Sequence, residues 1–265
     1  TTTTTTITTT TTTVTTTKLT TKPVTTTSTT KQTTATTKLT TKPITTTQAT
    51  TAAPAQTQSQ TTQAAQGSSG NVYKVEGTAG QEDFTAKDSY ADTVVLGDFI
   101  AGGMSYYGYL SDSQVVSDDN MTTRKAADYI DSVASANPKK VVIMLGLNDA
   151  NYGTRSAQTI AENIMAIASQ IKTASPNTNV CVLSLLPITQ EFEAKANVNA
   201  KQSVIDEINN IVMAACPSNS VTYVDVATAF KDASGYMNPQ YTGNGSNIYN
   251  EYYPFLLNGI AGVVK

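Results

Sequence analysis

The chain contains 265 residues with a formal net charge of −3, and its composition changes sharply after residue 66. The first 66 residues carry five lysines and no acidic residue, which leaves a net charge of −8 on the remainder. An acidic globular part argues against a nucleic-acid partner, because phosphate backbones bind basic surfaces. No apolar run approaches the ~20 residues that a membrane helix requires, so we expect no membrane span.

Threonine dominates the first part of the chain, residues 1–69, which we interpret as a low-complexity linker. The stretch from Thr17 to Thr27 returns almost unchanged from Thr37 to Thr47. Its few apolar side chains cannot offset the entropy of ordering the backbone, so the sequence predicts disorder. Threonine with proline is typical of O-glycosylated stalks, and an unmodified linker has the same composition. Both interpretations favour a secreted or cell-surface, multi-domain protein with further chain before Thr1.

Residues 70–265 form one predicted domain in which strands alternate with helices. After a lead-in of little periodicity at 67–90, five apolar runs predict the strands Thr93–Leu96, Gln114–Ser117, Lys140–Leu145, Val180–Leu185 and Val221–Val226. Helices are predicted to end near Leu110 and to span Thr123–Ala136, Ser156–Ala174, Val198–Ala215 and Glu251–Val263. The pattern predicts an α/β, flavodoxin-like doubly wound domain with a five-stranded parallel sheet in the order 2-1-3-4-5.

A fold of this kind binds ligands beyond the carboxyl ends of its strands. The segments predicted to lie there are Gly97–Gly103, Asp118–Thr122, Gly146–Asn151 and Leu186–Gln190, and the loop Tyr241–Asn250 is long enough to close over them. The first of these segments follows a strand, contains a glycine-rich turn and leads into a helix. Phe99 stands at the tip of that turn, where a residue with chemistry is expected.

The chain has two cysteines and no histidine. Cys181 and Cys216 stand in apolar surroundings, which favours two buried thiols over a disulfide and leaves the redox compartment open. We expect neither a metal ion nor a cofactor.

Three of the segments, in this order, resemble the conserved blocks of the SGNH (GDSL-type) hydrolases. Leu96-Gly97-Asp98-Phe99 is similar to the first block, Gly-Asp-Ser. Gly146-Leu147-Asn148-Asp149 matches the third block, Gly-x-Asn-Asp, without change. The segment Tyr241–Asn247 is similar to the last block, Asp-Gly-x-His, and precedes the closing helix. The resemblance covers about residues 90–265.

The resemblance implies a serine nucleophile, a histidine base and an aspartate that orients it, as in Ser-His-Asp hydrolysis on any fold. Carried over by position, these three become Phe99, Asn244 and Asn247 for the nucleophile, the acid and the base. Asn148 keeps the chemistry of the oxyanion donor. The second-block glycine falls within residues 118–120, which contain no glycine. Ser105 lies inside a predicted helix and is no better nucleophile, and the absence of histidine leaves no alternative base.

The retained residues also have structural explanations. Gly97 suits a tight turn and Asp98 suits a helix cap, while the Asn148 amide is able to bridge loops. Structural retention is the favoured explanation for these three residues, and the alternative is that they are oxyanion-type or ligand-binding positions. Tyrosines near the same segments, including Tyr106, Tyr152 and Tyr249, fit a packed rim or a platform for a sugar or peptide.

Two functions remain open from the sequence. One is a degenerate SGNH-type domain that serves as a binding or structural module, with carbohydrate or another surface protein as partner. The alternative is an active esterase, for example a carbohydrate deacetylase, with an atypical arrangement in which Asp98, Asp149 or Glu191 supplies acid–base chemistry. The first is favoured, because losing the nucleophile or the base of a serine triad alone costs about a millionfold in turnover.

Overall fold

The computed structural model describes residues 71–263. The predicted disordered linker and the domain boundary at residue 70 therefore lie outside the described residues. Within the described part, six strands form one sheet in which every pairing is parallel. They are β1 (Val72–Lys74), β2 (Thr93–Gly97), β3 (Val115–Ser117), β4 (Lys140–Met144), β5 (Asn179–Leu183) and β6 (Thr222–Asp225).

The strand order across the sheet is β1-β6-β5-β4-β2-β3. The order predicted for the five strands from Thr93 onward is confirmed, and the α/β class with it. The prediction of five strands is wrong by one, because β1 adds a sixth strand beside β6. This strand comes from the predicted lead-in. It is only three residues long, so the sequence shows no periodicity, and it depends on pairing with β6 and on the bond from Val75 N–H to the Asp225 carbonyl (2.9 Å).

Both faces of the sheet are covered. Strand β4 is central, and its residues Val141–Met144 are all buried, as is every residue of β2. Because successive side chains of a strand point to opposite faces, burial of a whole run requires packing on both sides. The register joins Thr93–Gly97 to Lys140–Met144, so β2 and β4 end at the same edge.

Eight α-helices cover the sheet in the described part of the chain. They are α1 (Phe99–Tyr106), α2 (Thr123–Ala126), α3 (Ile130–Ser135), α4 (Leu147–Tyr152), α5 (Ala157–Ala174), α6 (Gln190–Glu193), α7 (Gln202–Ala215) and α8 (Tyr253–Ala261). Helix α5 packs against α3 and α7. None of these helices is both long enough and apolar enough to cross a bilayer.

Four helix predictions differ from the structure by more than one residue at their bounds. Helix α1 ends at Tyr106 and not near Leu110. The predicted helix Thr123–Ala136 is divided by a 3₁₀ turn at Ala127–Tyr129, and a 3₁₀ turn at Asn250–Tyr252 precedes α8. Helix α7 starts at Gln202 and not at Val198. The Gln202 N–H is bound by the Glu193 carboxylate (2.7 Å), which satisfies a first-turn donor from outside the helix. Cys181 and Cys216 are both buried and unpaired.

Candidate functional site

Strand β2 ends at Gly97, and the chain turns directly into α1. A side chain at Gly97 would place its Cβ 2.6 Å from the Met144 carbonyl oxygen and 2.5 Å from the Ala101 Cβ, so this position accepts only glycine. Asp98 is the N-cap of α1, and its Oδ1 accepts the Ile100 N–H at 3.1 Å. Phe99 is the first residue of the helix, half-buried and packed against the core.

Asp98 is a carboxyl group in an unusual environment, with 2% of the residue exposed. Burial raises its pKa to about 7, opposed by the Ile100 hydrogen bond, and the nearby Asp149 carboxylate raises it further. At neutral pH, both its protonated and ionised forms are therefore populated.

Asn148 lies in the first turn of α4, just after Gly146, whose φ of 124° favours glycine. Its amide nitrogen donates to the carbonyl of Asp119 at 2.9 Å and to that of Met121 at 3.0 Å. An amide nitrogen has two N–H donors, so both are used. Asn148 thus fastens the loop after β3 to α4, and neither donor is left for a developing oxyanion in this conformation.

Asp149 is fully buried and already satisfied. It accepts hydrogen bonds from the Thr123 N–H and hydroxyl, each at 2.8 Å, and pairs with Arg155 at 3.2 Å. These contacts fix the start of α2 against α4. Both carboxylate oxygens of Asp149 are therefore occupied by contacts that hold α2 against α4.

The loop before α8 contains Asn244 and Asn247. Asn244 is exposed, and its Oδ1 accepts the N–H groups of Ser246 (2.9 Å) and Asn247 (3.0 Å). The amide oxygen therefore closes a local turn. The side chain of Asn247 is half-buried and makes no hydrogen bond to any residue of the described range 71–263. An amide at either position neither gives up nor takes up a proton near neutral pH.

Two attachments place this loop at the carboxyl edge of the sheet. The Thr189 N–H, beyond the end of β5, donates to the Gly245 carbonyl at 2.9 Å. The Tyr253 hydroxyl, at the start of α8, donates to the Ile100 carbonyl of α1 at 3.0 Å. The loop thus runs from the end of β5 towards the start of α1. The convergence of Phe99, Asn148, Asn244 and Asn247 on one point remains a prediction.

Comparison with protein families gives a match over most of the described domain. The GDSL-like Lipase/Acylhydrolase family matches residues 78–245, which include Phe99, Asn148 and Asn244 and end two residues before Asn247. The matched region exceeds half of the chain. The protein belongs to the GDSL-like lipase/acylhydrolase family.

Solved structures of GDSL-type proteins share the fold. A GDSL-like lipase from Bacteroides thetaiotaomicron has a TM-score of 0.58 at 19% identity, with 69% of this chain and 91% of that chain covered. An acetyl xylan esterase has a TM-score of 0.51 at 15% identity, with 65% of this chain and all of that chain covered. A search of curated proteins found no match.

This GDSL-family domain has a pocket of about 310 Å³ at the same edge as the Asn244 loop. The pocket lies between α6 and the loop before α8, and it is lined by Thr189, Gln190, Glu191, Phe192, Lys195, Asp232, Met237, Pro239, Thr242, Gly243, Asn244 and Gly245. Phe99, Asn148 and Asn247 do not line it. The Lys195 ammonium lies 5.0 Å from the centre of the Phe192 ring and 3.1 Å from the Asn244 carbonyl oxygen.

Of the pocket residues, Glu191 and Asn244 were named individually from the sequence, and five more lie in the predicted edge segments Leu186–Gln190 and Tyr241–Asn250. The others come from two segments about 40 residues apart, and the sequence contains one local signal, Thr189 as the cap of α6. Its hydroxyl accepts the Phe192 N–H at 3.1 Å. The described residues contain no group of three or more histidine, cysteine, aspartate or glutamate side chains able to hold a metal ion.

The three tyrosines predicted as a rim are all exposed, Tyr106 at 84%, Tyr152 at 51% and Tyr249 at 44%. Tyr106 ends α1, and at a rise of 1.5 Å per residue it lies about 10 Å along the helix from Phe99. Its ring meets that of Tyr107 edge-on at 5.1 Å, and Tyr107 packs on the buried Tyr253 at 5.4 Å. The Tyr107 ring therefore lies between the exposed Tyr106 ring and the buried Tyr253.

Proposed function

We propose that this domain is a non-hydrolytic member of the GDSL-like family that serves as a binding module. The observation that carries the proposal is Phe99 as the first residue of α1, directly after the capping Asp98. The family's nucleophile belongs at this position, where β2 passes into the helix. A phenyl ring has no lone pair with which to attack an ester carbon.

Other positions support the same function. The chain has no histidine to serve as a general base. The amide of Asn244 cannot act as the carboxylate that would orient and stabilise such a base. Both donors of the Asn148 amide are bound by backbone carbonyls. The family mechanism needs a nucleophile, a base and a free side-chain oxyanion donor. None of the three is supplied at the corresponding positions of this chain.

A binding role is supported by two surfaces that loss of catalysis leaves intact. The pocket beside Asn244 offers carboxylate, amide, hydroxyl and ammonium groups next to the Phe192 ring, which suits a ligand rich in hydroxyl groups. Tyr106 and Tyr107 offer flat apolar area with polar tips. We propose carbohydrate, or another secreted or surface protein, as the ligand, and the threonine-rich segment as a spacer in a multi-domain protein outside the cell.

A repair series tests the loss of catalysis. We expect no hydrolysis of a small activated acetyl ester by the unmodified protein, by Phe99→Ser or by Asn247→His, because serine is weakly nucleophilic without an adjacent base. The triple variant Phe99→Ser, Asn244→Asp, Asn247→His restores the three groups and is expected to gain slight activity. Each missing oxyanion donor still costs about 10²–10³ in rate. Activity in the unmodified protein equal to that of the triple variant would contradict the proposal.

The second candidate is an active esterase with an unusual acid–base group, and one observation favours it. Asp98 has a pKa of about 7, which is suited to general acid–base catalysis at neutral pH. Its Oδ1, however, accepts the Ile100 N–H. The next residue, at the start of α1, is Phe99, which has no nucleophilic group for Asp98 to activate. If Asp98 were a catalytic base, the unmodified protein would show a rate transition near pH 7, and Asp98→Asn would abolish turnover.

A further inference from the structure

Two Asn-Gly dipeptides occur in the described domain, at Asn244-Gly245 and Asn258-Gly259. Asparagine followed by glycine is the pair most prone to succinimide formation, because glycine has no side chain to shield its backbone nitrogen from the neighbouring amide. Asparagine is among the residues that limit the chemical lifetime of proteins. The two sites differ sharply in their surroundings, so each serves as a reference for the other.

The contacts of Asn244 suit the reaction at each participating atom. Its Oδ1 accepts two backbone N–H groups, from Ser246 and Asn247, which polarise the amide carbon as the donors of an oxyanion hole would. Its Nδ2 is bound by no residue in the described range and is free to leave. The Gly245 N–H, whose nitrogen is the nucleophile, donates to the Thr242 hydroxyl at 2.9 Å, and this hydroxyl is placed to relay the proton to solvent.

Asn258 differs from Asn244 in how its leaving nitrogen is held and in its place inside a helix. It lies inside α8, where Gly259 is part of the helix. Its Oδ1 accepts the N–H groups of Thr85 and Ala86, both at 3.1 Å, and its Nδ2 donates to Glu82 at 2.6 Å and to the Asp83 carbonyl at 2.8 Å. The Oδ1 of each asparagine thus accepts two backbone N–H groups, and the two sites differ at Nδ2, which is held by two acceptors in Asn258 and by no described residue in Asn244. The leaving group and the attacking nitrogen cannot rearrange without unfolding the last helix.

The geometry points to Asn244-Gly245 as a site of spontaneous modification in the folded protein. The Gly245 nitrogen bonds to the Asn244 Cγ, and the Cγ–Nδ2 bond breaks. Ammonia leaves, with the proton lost by Gly245 passing to it through Thr242 or solvent. Water then opens the imide at one of its two carbonyls and gives aspartate or isoaspartate. In net terms, one water is consumed and one ammonia is released.

The product changes the charge of the pocket, and it does so at the position that corresponds to the family's catalytic acid. An aspartate at this position keeps the acceptor role towards Ser246 and Asn247, now with a charged oxygen, so its hydrogen bonds are stronger. It adds one negative charge beside Glu191 and Asp232. It also returns a carboxylate to the position of the family's acid, without supplying a nucleophile or a base. This inference stands independently of the proposed function.

The test is site-resolved mass spectrometry of the intact folded protein, incubated at physiological temperature and mildly alkaline pH. Peptides carrying Asn244 are expected to gain the mass of an amide-to-acid conversion, while peptides carrying Asn258 stay unchanged. In urea, where the contacts of Asn258 are lost, both sites are expected to convert. Asn244→Gln serves as the control and should remove the first mass change. Conversion of Asn258 at the rate of Asn244 in the folded protein, or no conversion of Asn244 while the urea-unfolded chain converts fully, would overturn the inference.

Discussion

The buried carboxyl group of Asp98 makes the stability of this domain depend on pH in a direction opposite to that of most acidic residues. The folded protein binds this proton more tightly than the unfolded chain, because burial raises the pKa from 3.8 to about 7. The stabilising contribution is therefore complete below about pH 3.8 and is lost as pH rises to about 7. At about 1.4 kcal/mol per pH unit, the interval corresponds to about 4 kcal/mol.

Asp98→Asn removes the titration and keeps a good N-cap, since asparagine accepts the same hydrogen bond. We expect the variant to match the unmodified protein at acid pH and to exceed its free energy of unfolding by up to about 4 kcal/mol above pH 7. Urea unfolding at a series of pH values, with both proteins measured side by side, gives this difference directly.

Asp92→Asn is the matched control. Asp92 is exposed, and its hydrogen bond with Lys139 lowers its pKa, so its contribution to stability is lost as pH falls. The control should therefore show a small pH dependence of opposite sign. A stability difference between Asp98→Asn and the unmodified protein that does not change with pH, or that favours the unmodified protein at alkaline pH, would refute the reasoning about Asp98.

Two further predictions follow from the contacts of the site. Asn148→Ala leaves the Asp119 and Met121 carbonyls without their donor, so we expect a loss of about 1–3 kcal/mol in urea unfolding, and unchanged stability would contradict the bridging role. If the pocket binds carbohydrate, Glu191→Gln should weaken binding of the intact protein to immobilised glycans, while Tyr106→Ala should not. The reverse result would place the ligand on the tyrosine surface, and no binding to any glycan would contradict a carbohydrate ligand.

The framework of the domain was predictable because its signals are local. The strand Lys140–Leu145 is a continuous apolar run, and the Gly-x-Asn-Asp segment follows it directly, so the central strand and its edge were evident from the sequence. The prediction was wrong by one strand, because Val72–Lys74 is too short to show a period and is defined by pairing with β6 far along the chain.

The sequence predicted which segments form the candidate site better than it predicted the hydrogen bonds that their residues make. The residue types at Phe99, Asn244 and Asn247 are plain in the sequence. The partners of Asn148 are backbone carbonyls, which every residue has, so no pattern of side chains in the sequence predicts these contacts. The pocket arises from two segments brought together by the bond from Thr189 to Gly245, a contact that depends on the folded loops.

The central claim is that this GDSL-family domain does not hydrolyse esters. The most direct test is the turnover of a small activated acetyl ester by the unmodified protein, measured in each fraction across its size-exclusion peak. The proposed loss of both the nucleophile and the base predicts a rate equal to that of a heat-denatured sample. Saturable turnover that follows the protein peak would contradict the claim and identify an active enzyme, and its loss in Asn148→Ala would place the activity at this site.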